Sequence, residues 1–338
     1  MRIKQWMAVV SLATAISPMT AMAATEGAEK SPRIVGGGFA PISDAPWQVV
    51  LDLNGALCGG AIISSGYVLT AAHCVERASA SNITVYAGVE DLNLADGNGI
   101  AVASVVTNPN YNSSTLTADV ALIQLAGALP SNAKPIQLVD SDDQGNLDAE
   151  FALAEDQNLY VSGWGETSTD GNVSRYLKRT YLDGVSDNSC GWTNSNGVLI
   201  QTAADAYICG NDPLVSTGVC SGDSGGPLVW QAPSNASDAD RGYRLVGLVS
   251  FSSIRGCALT DVEDGFTQLN TYRDWISDNM NGGYSNPNVS FDADIFDASR
   301  TYSPLGDGGG GGSVSLYALL LLSSSLGFSI YSRRRFLS

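Results

Sequence analysis

The feature that most constrains the fold is a series of short apolar runs that recur through the middle of the 338-residue chain. The runs are rich in β-branched and aromatic residues, and clusters of Gly, Asn, Asp and Ser separate them, as in strands joined by turns. They lie at 47–53, 83–87, 101–107, 120–125, 159–163 and 245–251. Only residues 272–280 have a convincing helical pattern. The chain from about 34 to 281 is therefore predicted to be all-β, as a barrel or a sandwich.

The N-terminal segment has the pattern of a secretory signal. Arg2 and Lys4 precede an apolar run from about residue 7 to residue 16, and alanines at 21 and 23 give the small-x-small pattern of a cleavage site. The run is too short for a stable membrane-spanning helix. We therefore predict a signal peptide over residues 1–23, and the alternative is a buried N-terminal helix.

The C-terminal end combines a polar stretch, a glycine run, an uncharged segment and an arginine cluster. Residues 282–313 predict a linker, which contains five glycines at 308–312, and a small accessory strand pair is the alternative for its polar part. Residues 314–331 carry no charge, and three arginines follow at 333–335. Such a segment is long enough to span a bilayer, with a cytoplasmic C-terminus. The order resembles the glycine-glycine C-terminal sorting tails of Gram-negative secreted proteins, which a rhomboid-type protease removes. A tail over 314–338 thus implies a secreted or cell-surface protein with transient or stable membrane anchoring.

The middle of the chain is strongly acidic. Residues 34–313 contain 10 Lys and Arg against 32 Asp and Glu, a net charge of −22. Proteins bind nucleic acid largely through lysine and arginine contacts to phosphates. The charge therefore argues against a nucleic-acid partner, and it favours solubility.

The sequence contains six cysteines, at 58, 74, 190, 209, 220 and 257. An even count behind a signal peptide favours three disulfides, although six cysteines allow 15 pairings. A metal site is the other interpretation, but the single histidine and the absence of a C-x-x-C pair argue against it. We expect neither a metal nor another cofactor.

Three motifs carry the residue types of a nucleophilic catalyst. His73 lies in Thr-Ala-Ala-His-Cys, Asp119 opens an apolar strand, and Ser224 lies in Gly-Asp-Ser-Gly-Gly-Pro. A serine hydroxyl is a weak nucleophile, so a base must take its proton as it attacks. Imidazole is the natural base, and a carboxylate on its other nitrogen fixes the tautomer. In this order and spacing, from about residue 34 to residue 280, the motifs resemble the chymotrypsin–trypsin family of serine proteases.

The resemblance implies a fold and a set of catalytic roles. The fold is two antiparallel β-barrels, split near residue 155, with a C-terminal α-helix and a cleft that binds peptide or protein substrates. The catalytic residues are His73, Asp119 and Ser224, and the backbone N–H groups of Gly222 and Ser224 form the oxyanion hole. A non-catalytic relative that binds proteins is the alternative from another class, but such relatives usually lack a triad residue and none is missing here.

The family pattern also implies supporting residues. Ser250 matches the serine that supports the buried aspartate. The cysteines match the pairs Cys58–Cys74, Cys190–Cys209 and Cys220–Cys257.

The segment Arg33-Ile34-Val35-Gly36-Gly37 resembles the activation junction of the family's zymogens. Cleavage after Arg33, by another protease or by the enzyme itself, frees an α-ammonium group on Ile34. In the family this group pairs with the acid before the serine, here Asp223. Residues 24–33 are then a propeptide and residues 34–281 the protease domain. Because an unpaired buried carboxylate is costly, the junction acts as a switch.

The predicted specificity pocket departs from that of digestive trypsins. The position six before the nucleophile, an aspartate in trypsins, is Gly218, which favours small or apolar substrate side chains. Counting from Cys257 places Asp264 on the pocket wall, where a carboxylate attracts arginine or lysine. A shift of one residue in the count places one of its neighbours there instead. Ser252 replaces a usual glycine at the pocket mouth. We predict cleavage after Arg or Lys, with elastase-like specificity as the alternative.

Overall fold

The computed structural model describes residues 34–94, 98–153, 157–191, 204–297 and 299–304. The predicted signal peptide, propeptide and C-terminal tail, together with residues 305–313 of the predicted linker, lie outside this part of the chain. Within it, no helix has both the length and the apolar character needed to cross a membrane.

The described residues form 14 strands and three α-helices. The strands are β1 (Gly38–Phe39), β2 (Gln48–Leu53), β3 (Ala56–Ser64), β4 (Tyr67–Thr70), β5 (Thr84–Ala87), β6 (Ile100–Thr107), β7 (Ala121–Leu125), β8 (Gln137–Leu138), β9 (Leu159–Gly163), β10 (Lys178–Val185), β11 (Tyr207–Asn211), β12 (Pro227–Gln231), β13 (Tyr243–Phe251) and β14 (Asp264–Gln268). The helices are α1 (Ala72–Val75), α2 (Ser141–Leu153) and α3 (Arg273–Asp278).

Two closed antiparallel barrels of six strands each make up the domain, as predicted. The first has the order β2-β3-β4-β7-β6-β5. Alternate residues of its strands, such as Val49 and Leu51 on β2, point inward and form one buried cluster. The second has the order β9-β10-β11-β14-β13-β12 and closes through the pairing of β12 with β9. The prediction of two barrels and a C-terminal helix is confirmed.

Helix α2 was not predicted, although it has a recognisable start. Asp140 precedes the helix, and its Oδ1 accepts hydrogen bonds from the N–H groups of Asp142 and Asp143 at 3.1 and 2.9 Å. Such an aspartate is a common helix N-cap. Leu147 and Phe151 are the buried apolar residues of this 13-residue helix, so its apolar stripe is too thin to produce a clear helical period.

The prediction of a spacer after residue 281 is wrong for the residues that the structure describes. Phe291 and Ile295 are 7% and 0% exposed and belong to the main hydrophobic core. The ring of Phe291 packs against Trp47 at 5.0 Å and stacks on Tyr243 at 5.8 Å between centroids. The apolar residues here follow neither a strand nor a helix period, so the sequence pattern indicated a polar linker. We call the described residues between 284 and 304 the C-terminal strap.

Replacing Ile295 with alanine is expected to lower the free energy of unfolding by about 2–5 kcal/mol, because the change leaves a cavity in the core. Urea denaturation of the Ser224→Ala protein, with and without the change, measures the difference. Leu214→Ala is the control, since Leu214 is 90% exposed and its loss is expected to cost at most about 0.5 kcal/mol. Equal effects of the two changes would contradict the packing of the strap.

Candidate active site

His73 lies on α1, the short helix that follows β4, and its ring faces Asp119. The Nδ1 atom of His73 lies 2.8 Å from Oδ2 of Asp119. A carboxylate can only accept here, so Nδ1 carries the hydrogen and donates it. In the neutral ring Nε2 is then an acceptor, which is the form that a general base requires.

Asp119 is fully buried, and several groups hold it in place. Its Oδ1 accepts the backbone N–H of His73 at 2.9 Å, and its Oδ2 accepts the hydroxyl of Ser250 at 2.6 Å. Its backbone carbonyl accepts the hydroxyl of Thr267 at 2.9 Å. The N–H of the preceding residue, Ala118, donates to Tyr272 Oη at 3.0 Å. Ser250 was expected from the family pattern, whereas Thr267 and Tyr272 were not, because no local signal marks contacts about 150 residues apart.

Ser224 lies in a tight turn whose backbone is held from both barrels. Its carbonyl accepts the N–H of Gly59 from the first barrel at 2.7 Å, and the next N–H, of Gly225, donates to Val249 of the second at 2.8 Å. Gly225 has a φ of 77°, and a Cβ there would lie 2.2 Å from Thr70 Oγ1, so only glycine fits. Gly222, the predicted oxyanion donor, has a φ of 95°.

The disulfide between Cys58 and Cys74 links Ser224 to the histidine. Cys74 Sγ lies 3.6 Å from the Ser224 carbonyl oxygen and 3.8 Å from His73 Nε2. The serine turn and the histidine ring therefore both contact the Sγ atom of Cys74. The possible ligand atoms of His73, Cys58 and Cys74 lie within 4.8 Å of one another, as in a metal site. Both sulfurs are in the disulfide, however, and cannot act as thiolate ligands. The disulfides are Cys58–Cys74, Cys190–Cys209 and Cys220–Cys257, so the expected pairing is confirmed.

Asp223, the residue before the serine, has a fully buried carboxylate. Its Oδ1 accepts the N–H of Gly165 at 2.7 Å and its Oδ2 accepts the N–H of Cys220 at 3.0 Å. Burial raises the pKa of Asp223 to about 7, and the two backbone hydrogen bonds oppose that rise. A Cβ on Gly163 or Gly165 would lie 2.1 or 2.3 Å from the carboxylate, so these glycines leave space for it.

The segment that follows the predicted activation junction packs beside residues 216–218. Ile34 is buried, and the carbonyl of Val35 accepts the N–H of Gly218 at 3.1 Å. Gly36 lies so close that a Cβ there would be 2.3 Å from the carbonyl oxygen of Ser216. Arg33 lies outside the described residues.

Asp264, the first residue of β14, lies beside Gly218. Its side chain is 5% exposed, and its Oδ2 accepts the N–H of Val219 at 2.9 Å. A Cβ on Gly218 would lie 2.4 Å from that oxygen, so the carboxylate occupies the space that a side chain at 218 would need. Burial is the main cause that raises the pKa of Asp264 to about 7, and the nearby charge of Asp223 adds to it. Ser252 follows β13 and is half-buried, and no hydrogen bond among the described residues joins it to Asp264.

Comparison with known proteins places this arrangement in a family. The family model described as Trypsin matches residues 34–276. The chain belongs to the trypsin family of serine proteases. Chymotrypsin-like elastase family member 1 of Homo sapiens is 32% identical over 258 residues, which cover 74% of this chain and 93% of that protein. Chymotrypsin-C of Rattus norvegicus is also 32% identical over 258 residues, covering 74% and 90%. The trypsin-family domain and these relatives identify the chain as a serine endopeptidase.

Asp119→Asn is expected to lower kcat by about 10⁴-fold, because an amide does not hold the Nδ1–H tautomer of His73. Ser250→Ala is expected to lower kcat by about tenfold or more, because the carboxylate loses one charge-assisted hydrogen bond. Steady-state kinetics on a chromogenic peptide measure both changes, and thermal denaturation checks that each variant is folded. Retention of more than a tenth of the parent activity by Asp119→Asn would contradict this role.

Proposed function

We propose that this protein is a secreted serine endopeptidase that cleavage after Arg33 activates and that hydrolyses peptide bonds after arginine or lysine. The observation that carries the catalytic part is the 2.8 Å contact between His73 Nδ1 and the buried carboxylate of Asp119. The serine turn lies next to this pair, because Cys74 of the Cys58–Cys74 disulfide contacts both the Ser224 carbonyl oxygen and His73 Nε2.

In the proposed reaction Ser224 is the nucleophile and His73 the general base. Nε2 of His73 takes the hydroxyl proton as Ser224 Oγ bonds to the carbonyl carbon of the substrate, and the backbone N–H groups of Gly222 and Ser224 stabilise the oxyanion. The imidazolium then gives the proton to the leaving amine, which leaves an acyl-enzyme ester. Water hydrolyses the ester with His73 again as base. Asp119 stabilises the imidazolium in both steps.

Activation by cleavage is supported by the environment of Asp223. Its carboxylate is buried, and its pKa is raised to about 7, so a nearby cation would stabilise the ionised form. The proposed cation is the α-ammonium group that cleavage after Arg33 creates on Ile34, which is itself buried. Pairing would fix the turn that carries Gly222 and Ser224. The activating enzyme is another protease or a second copy of this one.

Specificity for arginine or lysine is supported by Asp264 and Gly218 together. Gly218 provides no side chain at this point of the proposed pocket, and the carboxylate of Asp264 fills the space beside it. A substrate guanidinium or ammonium group would pair with the carboxylate and supply the hydrogen bonds that water cannot make to a buried group.

A second specificity, for small or apolar side chains, has support of its own. The relatives compared above carry the names elastase and chymotrypsin, and Gly218 lacks the acid of digestive trypsins. The Asp264 carboxylate also has a partner already, the N–H of Val219.

The proposal includes export from the cell. The signal pattern of residues 1–23 would direct secretion, and the tail over 314–338 would hold the enzyme transiently or stably at the surface of a Gram-negative bacterium. Protein or peptide substrates and the activating protease are the proposed partners. A nucleic-acid partner is not proposed, because the surface is acidic.

The chain cleaved after Arg33 is expected to hydrolyse chromogenic peptides that end in Arg or Lys at least tenfold faster, in kcat/KM, than peptides that end in Ala or Phe. Ser224→Ala is expected to show no turnover. Preference for Ala or Phe would establish the second specificity. The absence of turnover, with Ile34 shown to be the free N-terminus, would contradict the catalytic proposal itself.

The ratio of kcat/KM for an Arg peptide to that for an Ala peptide is expected to rise as the pH increases from 6 to 8. Asp264, with its pKa of about 7, changes from neutral to ionised over this interval, and kcat/KM reports ionisations of the free enzyme. An ionisation that affects both substrates equally cancels in the ratio. Asp264→Asn is expected to give a low ratio that does not change with pH. A constant ratio in the parent enzyme would show that Asp264 does not contact the substrate.

A further inference from the structure

The end of the C-terminal strap reaches the segment that follows the activation junction. Nη2 of Arg300 donates to Oδ1 of Asp44 at 2.9 Å. The hydroxyl of Tyr302 donates to Oε1 of Glu90 at 2.5 Å, and Oε2 of the same carboxylate accepts the backbone N–H of Ile42 at 3.0 Å. The strap thus holds the segment at two points, once directly and once through Glu90.

The contact with Asp44 joins a buried carboxylate to the strap. Asp44 is 3% exposed, and within the described ranges its ion-pair partner is Arg300. A buried carboxylate that loses its cation is strongly destabilised. The position of residues near 44 therefore depends on a residue more than 250 positions away.

The strap and the segment also share a neighbour, strand β10. Gly38 and Phe39 pair with Arg179 and Lys178 of β10, and Nη2 of Arg179 donates to the carbonyl of Arg300 at 2.5 Å. A cavity of about 300 Å³ lies between the three parts. It is lined by residues 36–39, 179–181 and 300–302.

From this point the segment runs directly to the proposed oxyanion turn. Val35 accepts the N–H of Gly218, and Gly36 packs on the carbonyl of Ser216. Residues 216–218 lead through Cys220 into the turn that carries Gly222. A force that holds residues 38–44 in place therefore favours the docked position of Ile34.

We propose that Arg300 and Tyr302 are positioning residues, and that the strap clamps residues 38–44 and thereby holds the new N-terminus at Asp223 in the cleaved enzyme. The inference rests on the proposed activation after Arg33. It makes the strap a part of the catalytic unit, although it lies beyond the residues 34–276 that match the family model.

The clamp has a measurable consequence on the alkaline side of the pH profile. Only the protonated amine of Ile34 pairs with Asp223, and a free α-amino group has a pKa of about 7.7–8.0. Docking raises that value, so a tenfold weaker docking lowers the alkaline midpoint of activity by about one pH unit. The acidic groups near the docked segment and the strap include Asp223, Asp264, Asp44, Glu90, Asp294 and Asp297. The basic groups there include Lys178, Arg179, Arg241 and Arg300.

The experiment compares kcat/KM between pH 7 and pH 11 for enzyme cleaved after Arg33. Arg300→Ala and Tyr302→Phe are expected to lower the alkaline midpoint by about one pH unit or more. Arg300→Lys, which keeps the charge, is expected to recover part of the shift. Cyanate modifies only the undocked, neutral amine of Ile34, so its rate of modification is expected to rise by about the factor by which the docking equilibrium weakens.

Lys134→Ala is the matched control, because Nζ of Lys134 donates to the strap at Ser290, 2.7 Å away, and not to residues 38–44. An unchanged midpoint in Arg300→Ala and Tyr302→Phe, or an equal shift in Lys134→Ala, would overturn the clamp and leave the strap a purely structural element. If Arg300→Ala does not fold, Tyr302→Phe, which removes one hydroxyl, gives the same comparison. Equal activity of the cleaved and uncleaved parent would instead overturn the proposed activation, and the clamp with it.

Discussion

The candidate active site depends on one buried aspartate that joins the two barrels. Asp119 leads into β7 of the first barrel, yet its carboxylate accepts a hydrogen bond from Ser250 on β13 of the second barrel, and its backbone carbonyl accepts one from Thr267 on β14. A carboxylate without exposure to water is tolerated only when its oxygens are hydrogen-bonded. Docking of the barrels and the formation of the His73–Asp119 pair are therefore coupled. A further contact across the same interface, from Ser162 to Gln48 at 2.7 Å, acts in the same direction.

Two other buried carboxylates, on Asp223 and Asp264, lie close enough for their charges to repel. Each has a pKa raised to about 7, so the folded chain binds these protons more tightly than the unfolded chain. Each group alone therefore lowers stability as the pH rises from about 4 to above 7. A cationic partner would reverse that effect. In the function proposed here, the cation for Asp223 is the α-ammonium group of the chain itself, and the cation for Asp264 is the arginine or lysine of the substrate. The stability lost by burying these two carboxylates is therefore linked to activation and to specificity.

The strap extends the domain beyond the residues that match the family model, and it packs on the barrels without strand pairing. It pairs with no strand of either barrel, and it is held by side chains that bind its backbone, such as Tyr243, whose hydroxyl contacts both Ala293 and Ile295. Phe291 and Phe296 add aromatic contacts to Trp47, Tyr160, Tyr181 and Tyr243. Because these partners come from both barrels, the strap adds a further link between them.

The sequence by itself determined the strand-rich fold, the order of the catalytic motifs and, through the family resemblance, the disulfide pairing. These depend on local composition and on motifs that are read residue by residue. Helix α2 and the strap were missed because their apolar side chains follow no regular period. Counting along the chain also left the pocket-wall position open between Asp264 and its neighbours. Only the tertiary structure decided which of these side chains lies beside Gly218. The pairing of β14 with β11 sets Asp264 opposite Gly210, and successive side chains of a strand point to opposite faces, so the carboxylate of Asp264 points toward Gly218 and the next residue points away from it.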